Sequence, residues 1–201
     1  MVVAVLTGTV YAGIMGSPHD FTGKAFSQGQ ICQPCHAPHN PNMTVSNAPL
    51  WNHAVTVSTY TLYSSPSLDA GILPGSLNQP RGFSKLCLSC HDGTVAVDAY
   101  AGSPGTQFVS GSAHMGTDLS NDHPIAFIYN TNLAARDSGL NDPTITPSGI
   151  LGLSGTIQED MLFNDRLECS SCHDVHNRFY HKSLLKKSNA GSALCLTCHN
   201  K

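Results

Sequence analysis

Charge is scarce in this chain. Asp, Glu, Lys and Arg make up only 11% of its 201 residues, with 10 basic against 13 acidic side chains. A net charge of −3 with histidines neutral leaves no basic surface for a nucleic acid to dock on. Aromatic residues are few as well, at 7%. With 18 glycines and 12 prolines, little large apolar side chain remains to offset the entropy lost when the chain orders. No segment reaches the roughly 20 consecutive apolar residues of a membrane span. Cysteine is missing everywhere except from one kind of pentapeptide.

That pentapeptide occurs four times and uses all eight cysteines: Cys32-Gln33-Pro34-Cys35-His36, Cys87-Leu88-Ser89-Cys90-His91, Cys169-Ser170-Ser171-Cys172-His173 and Cys195-Leu196-Thr197-Cys198-His199. The spacing is the attachment signature of c-type haem. Each thiol adds across one vinyl group of the porphyrin, and the adjacent imidazole reaches the iron as proximal ligand. Two Cys-x-x-Cys pairs could instead build a Cys₄ zinc site, but zinc gives no reason for a histidine after each second cysteine. A redox-active Cys-x-x-Cys pair usually occurs once, in a strand-to-helix context. Four copies imply four covalently attached haems, with Cys32, Cys35, Cys87, Cys90, Cys169, Cys172, Cys195 and Cys198 as attachment points and His36, His91, His173 and His199 as proximal ligands.

Four large, mostly apolar porphyrins compensate for the thin core. The expected architecture is one tetrahaem domain over 1–201, mostly irregular coil wrapped around a haem stack. Short helices at the haem motifs and a few short strands complete it. Such a chain depends on its cofactors for order, as small metal domains depend on their metal, and the apoprotein is expected to be largely unfolded. Covalent haem is attached outside the cytoplasm, so the chain is exported, to the cell exterior or the periplasm.

The motifs alternate in two kinds. The first and third share Cys-x-x-Cys-His-x-x-His-Asn, ending at Asn40 and Asn177. The second and fourth share Ser-x-Leu-Cys-Leu-(Ser/Thr)-Cys-His, starting at Ser84 and Ser192. The chain thus reads as an apolar N-terminal segment (1–16), a first two-haem unit (17–91), a loop-rich insertion (92–168) and a second two-haem unit (169–201). A longer helix is plausible around Arg178 to Lys187. Val55 to Tyr63 alternates like a strand, and Ile125 to Tyr129 is a short β-prone run. Residues 1–12 (MVVAVLTGTVYA) resemble the apolar part of a secretory signal without its basic start. As part of the mature protein they read as a strand seeking a partner surface.

Seven histidines remain for the sixth coordination position. A haem closed by two imidazoles only passes electrons, whereas an open one can bind a substrate. His39 and His176 each follow a proximal histidine by three residues, too close to wrap around the same porphyrin and well placed to serve a neighbouring one. His123, in Asp122-His123-Pro124, gives the insertion a reason to fold back, with Asp122 available to steady the ring. His19, in Pro18-His19-Asp20, has the same setting. His53 beside Trp51 is held in reserve, while His114 and His181 read as structural. Met43, Met115 and Met161 are read as packing rather than ligation.

The ordered set of Pro18-His19-Asp20-Phe21, Cys35-His36-Ala37-Pro38-His39-Asn40, Pro49-Leu50-Trp51-Asn52, Leu86-Cys87-Leu88-Ser89-Cys90-His91-Asp92-Gly93-Thr94, His123-Pro124-Ile125 and Cys172-His173-Asp174-Val175-His176-Asn177 resembles the multihaem c-type cytochromes with doubled CxxCH motifs. The resemblance runs from about residue 17 to the C-terminus. Extracellular tetrahaem members of that kind polymerise head-to-tail into conducting filaments. The resemblance therefore implies bis-histidine iron, with His19, His39, His123 and His176 as the distal set. It also implies one distal histidine supplied by the adjacent copy, with His39 the favoured donor and His19 the second choice. Electron conduction without substrate chemistry is the expected function. A soluble periplasmic shuttle and a multihaem reductase are the alternatives. The reductase would need an open iron, often marked by a lysine in place of a proximal histidine, and none of the four motifs carries that change.

Overall fold

Backbone hydrogen bonding here is mostly local, and regular elements are short. The computed structural model describes residues 13–46, 48–72 and 79–200; the expected strand at 1–12 lies outside them. The helices are α1 (Gly82–His91), α2 (Thr131–Arg136), α3 (Ile157–Met161), α4 (Cys169–Cys172) and α5 (Cys195–Cys198). The strands are two residues each. β1 (Thr61–Leu62) runs parallel to β2 (Asp118–Leu119), and β3 (Phe127–Ile128) pairs antiparallel with β4 (Arg166–Leu167). Mostly coil with short helices and small strands is therefore the observed architecture, as the composition implies.

Local chemistry explains the short helices. α3 opens with a reciprocal cap, in which Glu159 N–H donates to Thr156 Oγ1 (3.3 Å) and Thr156 N–H donates to Glu159 Oε2 (2.8 Å). Its Ile157 and Met161, four residues apart, both point inward. The Asn130 side chain caps α2 by accepting from Leu133 N–H at 3.1 Å.

Two features differ from the sequence reading. The insertion is mainly loop and turn, as expected, but it also carries the principal core. Phe127, Tyr129, Leu133, Ile150, Ile157, Met161, Leu162 and Leu167 pack there together with Ala70 and Leu194. These apolar residues are widely spaced between Gly, Pro and Asn, so neither helical nor strand periodicity reveals them. The longer helix expected at 178–187 is also replaced, by turns. Asn177, Tyr180, Ser183 and Leu184 all have positive φ, between 53° and 58°, and Asp174 captures Arg178 N–H at 2.9 Å. That side-chain acceptor competes with the helical ladder and stops it. Of the expected strand at 55–63, only Thr61–Leu62 pairs.

Among the described residues, no helix is long and apolar enough to cross a membrane.

Candidate haem-attachment site

One helical turn builds each motif. The N–H of His36 donates to Cys32 O at 2.8 Å, that of His173 to Cys169 O at 3.0 Å and that of His199 to Cys195 O at 2.9 Å. Motif two lies inside α1. A bond four residues back brings the first cysteine and the histidine onto one face, as joint attachment to one porphyrin requires. The first motif forms this turn without being part of a helix.

After each of the first three motifs the chain returns and offers a backbone carbonyl to the proximal ring. His36 Nδ1 meets Pro49 O at 2.6 Å, His91 Nδ1 meets Ala113 O at 2.7 Å and His173 Nδ1 meets Ser183 O at 2.8 Å. A carbonyl only accepts, so Nδ1 carries the proton and Nε2 keeps its lone pair for a metal. This is the usual way in which a metal-binding imidazole is oriented. Single antiparallel bridges hold His36 against Trp51 and His173 against Leu185 on their return segments, and His199 against Leu140 of the insertion.

The spare histidines divide sharply. The His36 and His176 rings stand 6.1 Å apart at an interplanar angle of 14°. His91 and His19 stand 6.0 Å apart, and His199 and His123 6.4 Å. An imidazole nitrogen reaches a first-row metal at about 2.0–2.1 Å, so two rings on opposite sides of one metal have centres roughly 6 Å apart. His123 Nδ1 donates to Pro124 O at 2.9 Å, so that carbonyl, and not Asp122, orients the ring. Asp20 likewise turns away from His19 to accept from Gly16 and Thr22. His176 lies 3.9 Å from Asp174. Burial, followed by repulsion from His91, His173 and His176, holds His19 at about 4, so the ring is neutral and able to ligate.

His173 and His39 are left over. No second imidazole packs on His173 among the described residues, and the exposed His39 ring meets only the Asn40 amide, at 3.4 Å. His53 is no ligand, since both its nitrogens face carbonyls, Ala54 O at 2.7 Å and Ala96 O at 2.9 Å. The His114 ring sits over Gly93, where a Cβ would come within 2.3 Å of its Nε2. Met161 fills the core as expected, whereas Met43 is 75% exposed and packs little.

Cys32 and Cys195 are exposed, and the other six cysteines are half-buried. Burial raises Cys35 to about 11, and Cys90 and Cys198 to about 12. Cys87 is pushed up chiefly by its hydrogen bond to Cys169. Cys169 is held below its ordinary value, first by the hydrogen bond from Cys87, while Cys35, Cys87, Cys90, Cys172 and Cys198 lie above theirs and do not favour the thiolate of a redox-active pair. Cys35 lies in electrostatic range of Cys90, Cys87 touches Cys169, and Cys172 faces Cys195 and Cys198, so the motifs are neighbours in chain order. The central joint is a buried clasp between α1 and α4. Cys169 N–H donates to Ser84 Oγ (3.0 Å), Ser84 N–H to Glu168 Oε2 (3.0 Å) and Glu168 N–H to Ser171 Oγ (2.9 Å).

Among the described residues, no cluster of three or more His, Cys, Asp or Glu side chains is arranged to hold a bare metal ion. Three buried polar atoms, His19 Nδ1, Trp51 Nε1 and Ser170 Oγ, lack a hydrogen-bond partner in the protein. They lie on or beside the motif histidines and cysteines, where a haem with its polar propionates fits. Residues 162–201 match the family described as the doubled CXXCH motif. The match supports a multihaem c-type cytochrome. Its haem c is attached covalently at the CXXCH motifs, and the matched segment contains the third and fourth of them. No curated protein matches the chain.

Sequence reasoning singled out the cysteines, the motif histidines and the three spare histidines that face them, and also His39, whose ring meets the Asn40 amide. It missed Pro49, Ala113 and Ser183, which act through backbone carbonyls that every residue type carries. It also missed the Ser84–Glu168 clasp, whose members lie 84 residues apart.

Proposed function

We propose that this cytochrome carries four haems and conducts electrons along them, with every iron closed by two imidazoles and no substrate chemistry at any of them. The observation that carries the reading is the set of three imidazole pairs about 6 Å apart, His36–His176, His91–His19 and His199–His123. Each joins a motif histidine to a spare one. Motif contacts that follow chain order favour a continuous path. Closed low-spin centres suit transfer, because neither redox state exchanges a ligand.

The two unpaired histidines support assembly. The order of the motifs resembles that of OmcE, an extracellular tetrahaem cytochrome of metal-reducing bacteria that forms filaments. On this reading His39 of one copy closes the iron held by His173 of the next. The contact is head-to-tail and generates an open helical polymer. Pairing within the chain occupies His19 and removes it as the donor in trans. The protein is then secreted and works at the cell exterior, passing electrons to other redox proteins or external acceptors.

Electron microscopy and visible spectra of the secreted His39→Ala variant test this. The expected result is no filaments and one high-spin iron per subunit. Unaltered filaments would sink the proposal. The soluble-shuttle alternative keeps the same haems without the polymer: monodisperse wild-type particles at high concentration would favour it.

A further inference from the structure

Attachment and ligation leave one buried charge unexplained. Lys186 lies on the return segment of the third motif, where its N–H donates to Cys172 O at 2.8 Å. It is only 6% exposed, although an ammonium is strongly hydrated and costly to bury. Its Nζ donates to Asp160 O at 3.0 Å and stands 5.2 Å from the centre of the Phe163 ring. Among the described residues no carboxylate pairs with it. Asp174 is held by Arg178 at 2.9 Å, and the Asp160 carboxylate is taken by the Ser148 hydroxyl. Asp160, Asp174 and Arg178 are the charged groups that share its surroundings. Its field reaches Cys172, whose thiol it pulls down against the larger upward effect of burial. The adjacent Lys187 turns toward the fourth motif, donating to Thr197 Oγ1 at 2.9 Å and Ser148 O at 3.2 Å.

We propose that Lys186 is a redox-tuning residue, whose buried ammonium raises the reduction potential at the third motif and makes that position an electron-collecting point of the chain. The proposal rests on the reading that the third motif carries a haem. Reduction adds one electron and lowers the charge of the centre by one, so a fixed cation nearby favours the reduced state. In a poorly solvated interior that preference is stronger than in water. The electron arrives from a neighbouring reduced centre, which is oxidised in turn; no bond is made or broken and no proton moves.

Redox titration of the holoprotein, followed in the visible spectrum, tests the charge. In Lys186→Met one component should move to lower potential, with its reduced-to-oxidised ratio at a fixed potential falling about tenfold, or ~59 mV. Lys186→Arg, which keeps the charge, should restore it. Lys186→Gln keeps a donor for Asp160 O without the charge and should reproduce the drop even if the methionine variant folds poorly. Unmoved components in the glutamine variant, with haem content intact by mass, would overturn the proposal. A Cys169→Ala/Cys172→Ala variant should weigh one haem less. If its haem mass is unchanged, the reading of the third motif fails, and the tuning role falls with it.

Discussion

Ser84→Ala probes the joint between the second and third motifs. Ser84 is fully buried, and its Oγ accepts the N–H of Cys169 at 3.0 Å. Alanine removes that acceptor and admits no water in its place. The buried Cys169 N–H then goes unsatisfied, at a cost of about 1–3 kcal/mol. For a domain of this size each kcal/mol moves Tm by about 2–4 °C, so the expected fall is roughly 2–12 °C. Ser110→Ala is the control, because Ser110 is exposed and its side chain caps nothing. Removing that hydroxyl should change stability by less than about 0.5 kcal/mol. The assay is thermal unfolding of the holoprotein followed by Soret circular dichroism, which reports the haem surroundings directly. If Ser84→Ala and Ser110→Ala melt at the same temperature, the clasp does not hold the second and third motifs together, and the reasoning fails.

Other outcomes follow from the same geometry. Replacing His176, His19 or His123 singly by alanine should add one high-spin haem to the spectrum of the isolated subunit, beyond the His173 haem left open without its neighbour. A variant with no more high-spin haem than the isolated wild-type subunit would show that its ring pair is not a ligand pair. Glu168 is raised above its ordinary value first by burial, against the opposing Ser84 hydrogen bonds and the Arg166 and Arg81 charges. A carboxyl with a raised folded value contributes stability that is fully present below its unfolded value and is lost as pH rises through the folded one. Glu168→Gln abolishes that loss, so its Tm relative to wild type should be higher at pH 7 than at pH 4. An equal difference at both pH values would contradict the burial argument.

How far the sequence was legible differs between particular residues. Cys87, Cys90 and His91 announce their role because attachment needs a spacing that one helical turn satisfies wherever it occurs. His39 and His176 stand out through repetition, and their local turns do repeat, with φ of 52° at Asn40 and 53° at Asn177. The equivalence stops there. Asn177 Nδ2 donates to Gly13 O at 2.9 Å, and His176 turns to His36, while Asn40 and His39 remain exposed. The core was hidden for a different reason. Tyr129, Ile150 and Ile157 gather from turns and short elements whose spacing has no period to detect.

The amino-acid sequence by itself determined the chemistry of attachment, since thiols and proximal imidazole lie within five residues and need only one turn of backbone. It also determined the scarcity of regular structure, through its glycine, proline and sparse apolar content. Only the tertiary structure decided which spare histidine faces which motif, which carbonyl accepts from Nδ1–H of His36, His91 and His173 and so leaves Nε2 free, and which lysine is buried without a carboxylate. Those choices bring together residues from different segments of the chain, 140 positions apart for His36 and His176, and no local spacing encodes such a distance.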